Sequence, residues 1–382
     1  MALKASRRGA IPPFLVMEVM RAANERVAAG GDVVHLEVGQ PGTGAPGAVV
    51  EAARAALGRD LLGYTEALGL PELRAAIAGH YRAFYGLDVA PERIVVTTGA
   101  SGAFVLAFLA AFDPGDRVAL AAPGYPGYRH ILGALDIEPV ILEAGPATRF
   151  QPSIELIEAA AGRIDGLIVA SPSNPAGTML APDELTGLAR YCDERGIRLI
   201  SDEIYHGIAY GAKALSAAAH NADAIVINSF SKYFSMTGWR LGWMVVPENL
   251  MRAVECLAQN LFVSPPTLSQ HAALAAFGCY DDLDVNVARY ARNRELLLGE
   301  LPKAGFDSLA PADGAFYIYA DISRLTNDSP EFCRRMLSET GVAATPGVDF
   351  DPVRGAAFVR FCFAGATADM AEAARRLRRW RR

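Results

Sequence analysis

Short apolar runs rich in β-branched residues recur along the first two thirds of the chain, each bounded by turn-forming residues. Such runs predict strands, and most are separated by segments with the apolar spacing of a helix, clearest at 101–112, 182–195 and 248–261. Apolar strands that alternate with helices indicate a mainly parallel sheet covered on both faces. The predicted strands are 33–38, 93–98, 117–122, 166–171, 198–202, 224–229 and 242–247.

The pattern changes near residue 281. A long polar helical stretch at 281–301 precedes an apolar run at 313–322, a helix near 330–340 and a second apolar run at 356–365. This order of elements predicts a smaller α+β domain. The predicted parts are an N-terminal segment at 1–38 that packs with the small domain, a large domain at 39–280 and a small domain at 281–382.

Composition and charge narrow the class of protein. The net charge is −6, which argues against a nucleic-acid partner because such partners are bound by basic surfaces. The five cysteines are scattered and form no CxxC pair, so neither a disulfide framework nor a zinc site is expected. No apolar run reaches the ~18 to 20 residues of a membrane span, and Pro12, Pro13 and Glu18 interrupt the run near the N-terminus. We therefore expect a soluble cytoplasmic protein without a membrane partner.

The segment NSFSKYFSMTGWRLGW at 228–243 carries the strongest candidate chemistry. The chain has only four lysines, and Lys232 lies there in an apolar loop rich in Ser and Gly. An amine can form a Schiff base with an aldehyde, which arginine cannot do because it does not deprotonate. Ser229, Ser231 and Arg240 supply the donors that bind a phosphate. We expect burial and Arg240 to depress the Lys232 pKa, as a lysine base requires.

A second candidate lies in RLISDEIYHG at 198–207, where Asp202 ends a predicted strand and Tyr205 follows three residues later. A buried carboxylate can keep a pyridine nitrogen protonated, and a phenol can donate to the oxygen of such a ring. An acidic residue at the end of a strand is common, so Asp202 and Tyr205 are informative mainly because they lie upstream of Lys232. We expect His206 to face solvent and to have no catalytic role.

Three loops follow other predicted strands. In SPSNPAGT at 171–178, Asn174 presents an amide at a strand end, although an Asn-Pro turn alone is common. TTGASGAF at 97–104 joins a strand to a helix, so its backbone N–H groups can bind an anion. PGYPGY at 123–128 places Tyr125 where a ring could stack on a planar cofactor. Functional groups gather at the carboxyl ends of parallel strands, so one shared site is expected.

Together these segments resemble the class I/II aminotransferases, the aspartate-aminotransferase-like family of pyridoxal 5′-phosphate (PLP) enzymes of fold type I. SFSKYFSMTGWRLG, SPSNPAGT and SDEIY occur in the family's order and spacing, and the resemblance covers nearly the whole chain. It implies an α/β fold whose large domain has a mainly parallel seven-stranded sheet covered by helices, with a smaller α+β domain formed by both termini. It also implies PLP as cofactor.

The resemblance implies roles residue by residue. Lys232 would form the Schiff base with the cofactor and carry the proton, Asp202 would pair with the pyridine nitrogen, and Tyr205 would pair with the ring oxygen. The other residues implied to hold the cofactor in this subunit are Asn174 and Tyr125 at the ring, and Ala100, Ser101, Ser229, Ser231 and Arg240 at the phosphate.

The resemblance further implies how substrates and a partner bind. Arg360 in VRFCFAG would bind the substrate α-carboxylate, helped by Gly39 and Asn174, and Tyr64 would reach the phosphate of a partner subunit in a homodimer with shared active sites. The reaction would move an amino group from an L-amino acid to a 2-oxo acid, 2-oxoglutarate by expectation, in a ping-pong mechanism. Aspartate-type or broad specificity is expected, although residues 40–44 depart from the Glu-Pro-Asp-Phe of many relatives.

Other readings stay open. The same cofactor and fold also support lyases, racemases and synthases. TTGASGAF superficially resembles a dinucleotide-binding turn of a nicotinamide-dependent dehydrogenase, but it does not lie in a first βαβ unit and no tyrosine stands four residues before a lysine. A transcription regulator on this fold would need a DNA-binding domain, for which the ~35 residues before the first predicted strand are too few.

Overall fold

The computed structural model describes residues 3–381. Its α-helices are α1 Leu15–Ala28, α2 Gly47–Arg59, α3 Pro71–Tyr85, α4 Gly99–Ala111, α5 Pro126–Ala134, α6 Ile154–Ala159, α7 Pro182–Arg195, α8 Glu248–Leu261, α9 Thr267–Leu274, α10 Tyr280–Glu300, α11 Ser329–Thr340 and α12 Thr367–Arg379. Its strands are β1 Val34–His35, β2 Ile94–Thr97, β3 Arg117–Ala122, β4 Glu138–Glu143, β5 Gly166–Ala170, β6 Arg198–Asp202, β7 Ile225–Ser229, β8 Gly242–Val245, β9 Ser308–Leu309, β10 Tyr317–Asp321, β11 Val342–Ala343, β12 Thr345–Pro346 and β13 Phe358–Cys362.

The predicted mainly parallel seven-stranded sheet is confirmed. Its strand order is β2-β8-β7-β6-β5-β3-β4, and only β8 runs antiparallel to its neighbours. Strands β2, β7 and β8 are buried along their whole length, which explains why they read as continuous apolar runs. Strands β5, β6 and β7 run parallel to one another, so their carboxyl ends lie at one edge of the sheet. The sequence predicts the site at this edge.

One strand of this sheet was not predicted from the sequence. The strand that was not predicted is β4, which contains Pro139. Proline is tolerated there because β4 lies at the edge of the sheet. Of the seven predicted runs, 33–38 contributes only β1, which pairs in parallel with β11 rather than with the large sheet.

The second sheet has the order β12-β13-β10-β9 and comes from the C-terminal part of the chain. The N-terminal segment joins this part, because the Cys362 N–H donates to the Leu36 carbonyl over 2.7 Å and α1 packs against β12. The domain boundaries at residues 38 and 280 stay a prediction, and residues 1, 2 and 382 of the predicted parts lie outside the described residues. Within residues 3–381 none of the helices has the length and apolar character to span a bilayer.

Candidate active site

A cavity of about 670 Å³ lies at the carboxyl ends of β5, β6 and β7. It brings together every predicted site residue except Tyr64, whose side chain is 87% exposed and lies outside the cavity. The predicted residues that line it are Gly39, Ala100, Ser101, Tyr125, Asn174, Asp202, Tyr205, Ser229, Ser231, Lys232, Arg240 and Arg360.

Lys232 is held by the packing of the aromatic residues on either side of it. Phe230 and Phe234 are buried, and the Phe230 ring lies 4.9 Å from the Trp243 ring between centroids. These two anchors fix the loop after β7, so the lysine side chain is directed into the cavity. There its Nζ donates to the Gly39 carbonyl over 2.5 Å.

The environment of Lys232 lowers the pKa of its amine, which favours the neutral, basic form. Burial, together with the positive charges of Arg360 and Arg240, lowers the pKa of Lys232 to about 8 against the opposing influence of Cys362 and Asp202. A larger fraction of this amine is therefore neutral near neutral pH than for an ordinary lysine. The direction expected from the sequence is confirmed.

Asp202 is the last residue of β6 and is buried. One carboxylate oxygen accepts from the Ile204 N–H over 3.1 Å, and the other accepts from the Tyr128 hydroxyl. Burial raises the pKa of Asp202 to about 6, and the hydrogen bond from Tyr128 is the largest effect that opposes this rise. The group is thus ionised at neutral pH and can hold a protonated ring nitrogen. Tyr128 was not predicted, although it stands three residues after Tyr125 in PGYPGY.

Tyr205 forms a pair with Tyr317, which was also not predicted. Their hydroxyl oxygens lie 2.7 Å apart, and Lys232 Nζ lies 5.8 Å from the centre of the Tyr205 ring. The Tyr317 hydroxyl occupies the space that a Cβ at Gly39 would need, so only glycine fits at that position. The Tyr205 phenol is therefore placed beside the lysine amine.

Donors suited to a phosphate converge at the start of α4. Ala100 and Ser101 are the second and third residues of that helix, so their N–H groups have no partner within it. Ser229 Oγ lies 2.9 Å from Ser231 Oγ. The Arg240 guanidinium lies so close to Gly99 that a Cβ there would overlap it. Backbone N–H groups, two hydroxyls and a guanidinium form a set that binds a phosphate dianion.

Arg360 lies on β13 and is only 2% exposed. Nη1 donates to Asn174 Oδ1 over 2.9 Å, while Nη2 donates to the Glu37 carbonyl and, over 3.2 Å, to Thr345 Oγ1. Three distant segments of the chain therefore fix one guanidinium.

The Arg360 guanidinium lines the cavity. It lies between two rings, 4.4 Å from the centroid of Tyr317 and 4.7 Å from that of Phe350. A guanidinium has five N–H groups, and the bonds to Asn174, Glu37 and Thr345 use three of them. The side of the guanidinium toward the cavity can therefore bind a carboxylate.

The side of the cavity that faces α1 is apolar and was not predicted from the sequence. Phe14, Val16, Met17 and Met20 line it, and the Phe14 ring meets Tyr125 edge-on at 5.9 Å. Within residues 3–381, the cations that line the cavity are all ones already described, namely Lys232, Arg240 and Arg360. We refer to Phe14, Val16, Met17 and Met20, at the start of α1, as the α1 wall.

The prediction for His206 was wrong. Its side chain is only 1% exposed, with Nε2 2.9 Å from the Ser171 carbonyl oxygen and Nδ1 2.9 Å from the Tyr85 hydroxyl. Burial lowers the pKa of His206 to about 4, so the imidazole is neutral at physiological pH. His206 does not line the cavity and instead ties the loop after β6 to the loop after β5.

The cavity fits the predicted cofactor on the evidence of its donor set. PLP presents an aldehyde, a ring nitrogen and a phosphate, and the cavity offers an amine at Lys232, a carboxylate at Asp202 and the donors at the start of α4. The Arg360 guanidinium, which lines the same cavity, adds a place for the carboxylate of an amino acid. Amino-acid and cofactor groups therefore have separate partners within one cavity.

Comparisons with known proteins agree with this chemistry. The family model of aminotransferase class I and II matches residues 31–377. A valine–pyruvate aminotransferase from Mycobacterium tuberculosis is 52% identical over 381 residues, covering 99% of this chain and 98% of the relative.

Solved structures give the same picture. A crystal structure of an aminotransferase from Mycobacterium tuberculosis superposes with a TM-score of 0.97 at 51% identity, covering 99% of both chains. The aspartate aminotransferase from Thermus thermophilus, solved with maleate, superposes with a TM-score of 0.92 at 34% identity, covering 99% of this chain and 100% of the other.

Proposed function

This chain belongs to the class I and II aminotransferases, whose cofactor is PLP, and from that premise we propose that it moves the amino group of an aliphatic L-amino acid to a short 2-oxo acid such as pyruvate. The single observation that carries the substrate class is the α1 wall, an apolar surface opposite the cofactor-binding residues. The proposal takes the place of the aspartate-type or broad specificity, and of 2-oxoglutarate as acceptor, that were expected from the sequence.

The cofactor would be held by residues of the large sheet. Lys232 would be its covalent attachment point, Asp202 would face the ring nitrogen, and Tyr205 and Asn174 would face the ring oxygen. When bound, PLP supplies an aldehyde that condenses with amines and a protonated ring that stabilises negative charge at the substrate α-carbon.

Arg360 would orient the amino acid. Its guanidinium is fixed by Asn174 and Glu37 and lines the cavity, so its remaining N–H groups can donate to the α-carboxylate. Because the arginine is preorganised and buried, little freedom is lost when the substrate binds, which favours a near-attack geometry. The α-carbon is thereby directed toward the lysine amine.

Lys232 would move the proton. With a pKa of about 8 its amine is poised near neutral pH to take the α-proton at Nζ and to return it in the same cavity. Lys232 is partly buried, which limits its contact with bulk water, and a bound substrate would favour proton exchange between lysine and substrate. The second half-reaction with the 2-oxo acid runs the same steps in reverse, which makes the mechanism ping-pong.

The proposed substrate class depends on the apolar character of the α1 wall. A side-chain carboxylate on the substrate would need a second cation, and in the described residues no cation lies on that wall. Aliphatic side chains gain instead by leaving water for an apolar surface. The name of the relative at 52% identity, a valine–pyruvate aminotransferase, supports the same class for the amino donor and the oxo-acid acceptor.

We also propose a homodimer in which Tyr64 reaches the partner's site. Tyr64 and Leu61 are 87% and 97% exposed, and Val263 and Leu261 are each 50% exposed. Large exposed apolar side chains are typical of protein–protein contacts. Sedimentation of the wild-type protein should give twice the mass of one chain. In such a dimer, Tyr64→Phe should weaken the binding of the cofactor phosphate.

One experiment tests the activity and the substrate class together. Holoenzyme is mixed with L-valine, L-alanine, L-aspartate or L-phenylalanine, and the conversion of bound PLP to its amine form is followed by absorbance. We expect L-valine to convert the cofactor with the highest kcat/KM and L-aspartate with the lowest. A clear preference for aspartate would contradict the proposed class, and release of ammonia without a 2-oxo-acid acceptor would favour a lyase.

A further inference from the structure

The start of α1 has no cap of its own. Pro12 and Pro13 precede it, and Phe14 at the capping position makes no side-chain hydrogen bond. The first N–H groups of a helix have no partner within the helix and need an acceptor from elsewhere. The acceptor is supplied by a residue more than three hundred positions away.

That residue is Asp349. One carboxylate oxygen accepts from the Leu15 N–H over 3.1 Å and the other from the Val16 N–H over 3.2 Å. Asp349 is 2% exposed, so solvent does not compete for these bonds. A carboxylate at a helix N-terminus is also stabilised by the helix dipole. The pair of bonds fixes both the position and the direction of the first turn of α1.

Asp349 is itself fixed to the cofactor side of the cavity. Its carbonyl accepts from Arg129 Nη2 over 2.5 Å, and Arg129 lies on α5, the helix that begins directly after Tyr125. The next residue, Phe350, packs against Arg360 at 4.7 Å, and the Phe350 carbonyl accepts from the Gly124 N–H over 3.0 Å. The segment around Asp349 therefore relates the start of α1 to the residues that hold cofactor and substrate.

We propose that Asp349 is a positioning residue for substrate selection, whose carboxylate fixes the start of α1 and thereby the distance between the α1 wall and the guanidinium of Arg360. Val16 carries one of the two capped N–H groups, Phe14 directly precedes the other, and both residues line the cavity. Loss of the carboxylate leaves the wall in place by packing alone, and the contact with a branched side chain loosens. This inference rests on the proposed preference for aliphatic amino acids.

The test compares Asp349→Ala holoenzyme with wild type in the L-valine and L-alanine half-reactions. We expect the KM for L-valine to rise about tenfold, equivalent to ~1.4 kcal/mol of binding. The KM for L-alanine should change less than about twofold and kcat should stay close to wild type, because the residues at the reacting atoms are untouched. Asp349→Asn keeps one carbonyl oxygen as acceptor and should give an intermediate KM for L-valine.

Asp351→Ala is the matched control. Asp351 is buried in the same segment, but it pairs with Arg354 and does not contact α1. We expect this variant to lose thermal stability and to keep the wild-type ratio of the two KM values. A changed ratio in Asp351→Ala would mean that any damage to the segment alters selection.

A double-mutant cycle separates positioning from general damage. Phe14→Ala removes the wall residue next to the cap, so its effect on the KM for L-valine should not add to that of Asp349→Ala if the carboxylate acts through Phe14. Additive effects, or equal increases for L-valine and L-alanine, would overturn the inference. A wild type that rejects L-valine would overturn the proposed function as well, whereas valine turnover with an unchanged KM in Asp349→Ala would overturn the inference alone.

Discussion

The two ends of the cavity are built differently. The cofactor end is polar and comes from loops that directly follow strands of the large sheet, with Asp202, Ser229 and Lys232 within 31 positions of one another. The substrate end combines the α1 wall with Arg360, residues from opposite ends of the chain. In the proposed function, the cofactor end performs chemistry common to every amino acid, and the substrate end selects among amino acids.

This difference gives a rule for mutations. Changes at the cofactor end should reduce turnover of all amino acids alike, because the same proton transfer is used for each. Changes at the α1 wall should alter KM for particular amino acids and leave kcat near wild type, since they remove uniform binding.

Lys232→Ala should have the largest effect. We expect kcat/KM to fall by at least ~10³-fold for every amino acid, because both the covalent attachment point and the proton carrier are lost. The visible absorbance of lysine-linked cofactor should disappear as well. Lys213→Ala, at an exposed lysine, is the control and should behave as wild type. A Lys232→Ala protein with normal transamination would end the assignment.

Asp202→Asn comes next. The neutral amide cannot hold the ring nitrogen protonated, so we expect kcat to fall about 10²-fold, a loss of ~2.7 kcal/mol of transition-state stabilisation. The fall should be similar for L-valine and L-alanine in single-turnover absorbance measurements. Asp223→Asn, at an exposed residue before β7, should have no effect. A fall confined to one amino acid would break the distinction between the two ends.

The pH dependence of cofactor addition should show the depressed pKa of Lys232. Only the neutral amine attacks an aldehyde, so the rate at which cofactor-free protein binds PLP should rise about tenfold per pH unit below the pKa of about 8 and then level off. Stopped-flow absorbance gives this profile. A rate that keeps rising toward the ordinary lysine value of 10.5 would show that burial does not lower the pKa.

Of these changes, Met20→Ala should have the smallest effect, and it tests the difference between the substrate end and the cofactor end of the cavity. We expect one methylene-sized group of the valine side chain to lose its apolar contact, which costs about 0.8 kcal/mol, so the KM for L-valine should rise about fourfold. The kcat should stay unchanged. Val27→Ala lies on the same helix, is largely exposed and does not line the cavity, so it should leave both constants at wild-type values. An equal change in the two variants would show that α1 acts only through stability.

Much of the cofactor end could be predicted because its motifs are local. Strand-ending Asp202 and the loop around Lys232 keep their order and spacing within one sheet, so position along the chain translates into position in the cavity. Tyr128 was within reach of the same reasoning, since it lies in the first turn of α5, three residues after Tyr125 at the cap of that helix. Tyr317 had no such signal, because its contact with Tyr205 joins distant segments.

The substrate end was beyond sequence reasoning for the same physical reason. The run FLVMEVM is apolar, but nothing local distinguishes a helix face that lines a cavity from one that lines a core. Its placement depends on Asp349, 334 positions from Leu15 along the chain. The error at His206 has a related cause: a polar residue after a strand end suggests exposure, whereas Tyr85 and the Ser171 carbonyl satisfy both ring nitrogens inside the protein.

The attachment of Arg360 to Glu37, Asn174 and Thr345 has a consequence for protein synthesis. The ribosome has already joined every predicted cofactor-binding residue of the subunit when it passes Arg240, but Arg360 is added more than a hundred residues later. A product truncated before β13 therefore encodes the groups for the aldehyde and the phosphate and lacks the one for the α-carboxylate. The residue proposed to bind the α-carboxylate is therefore the last part of the proposed site to be synthesised.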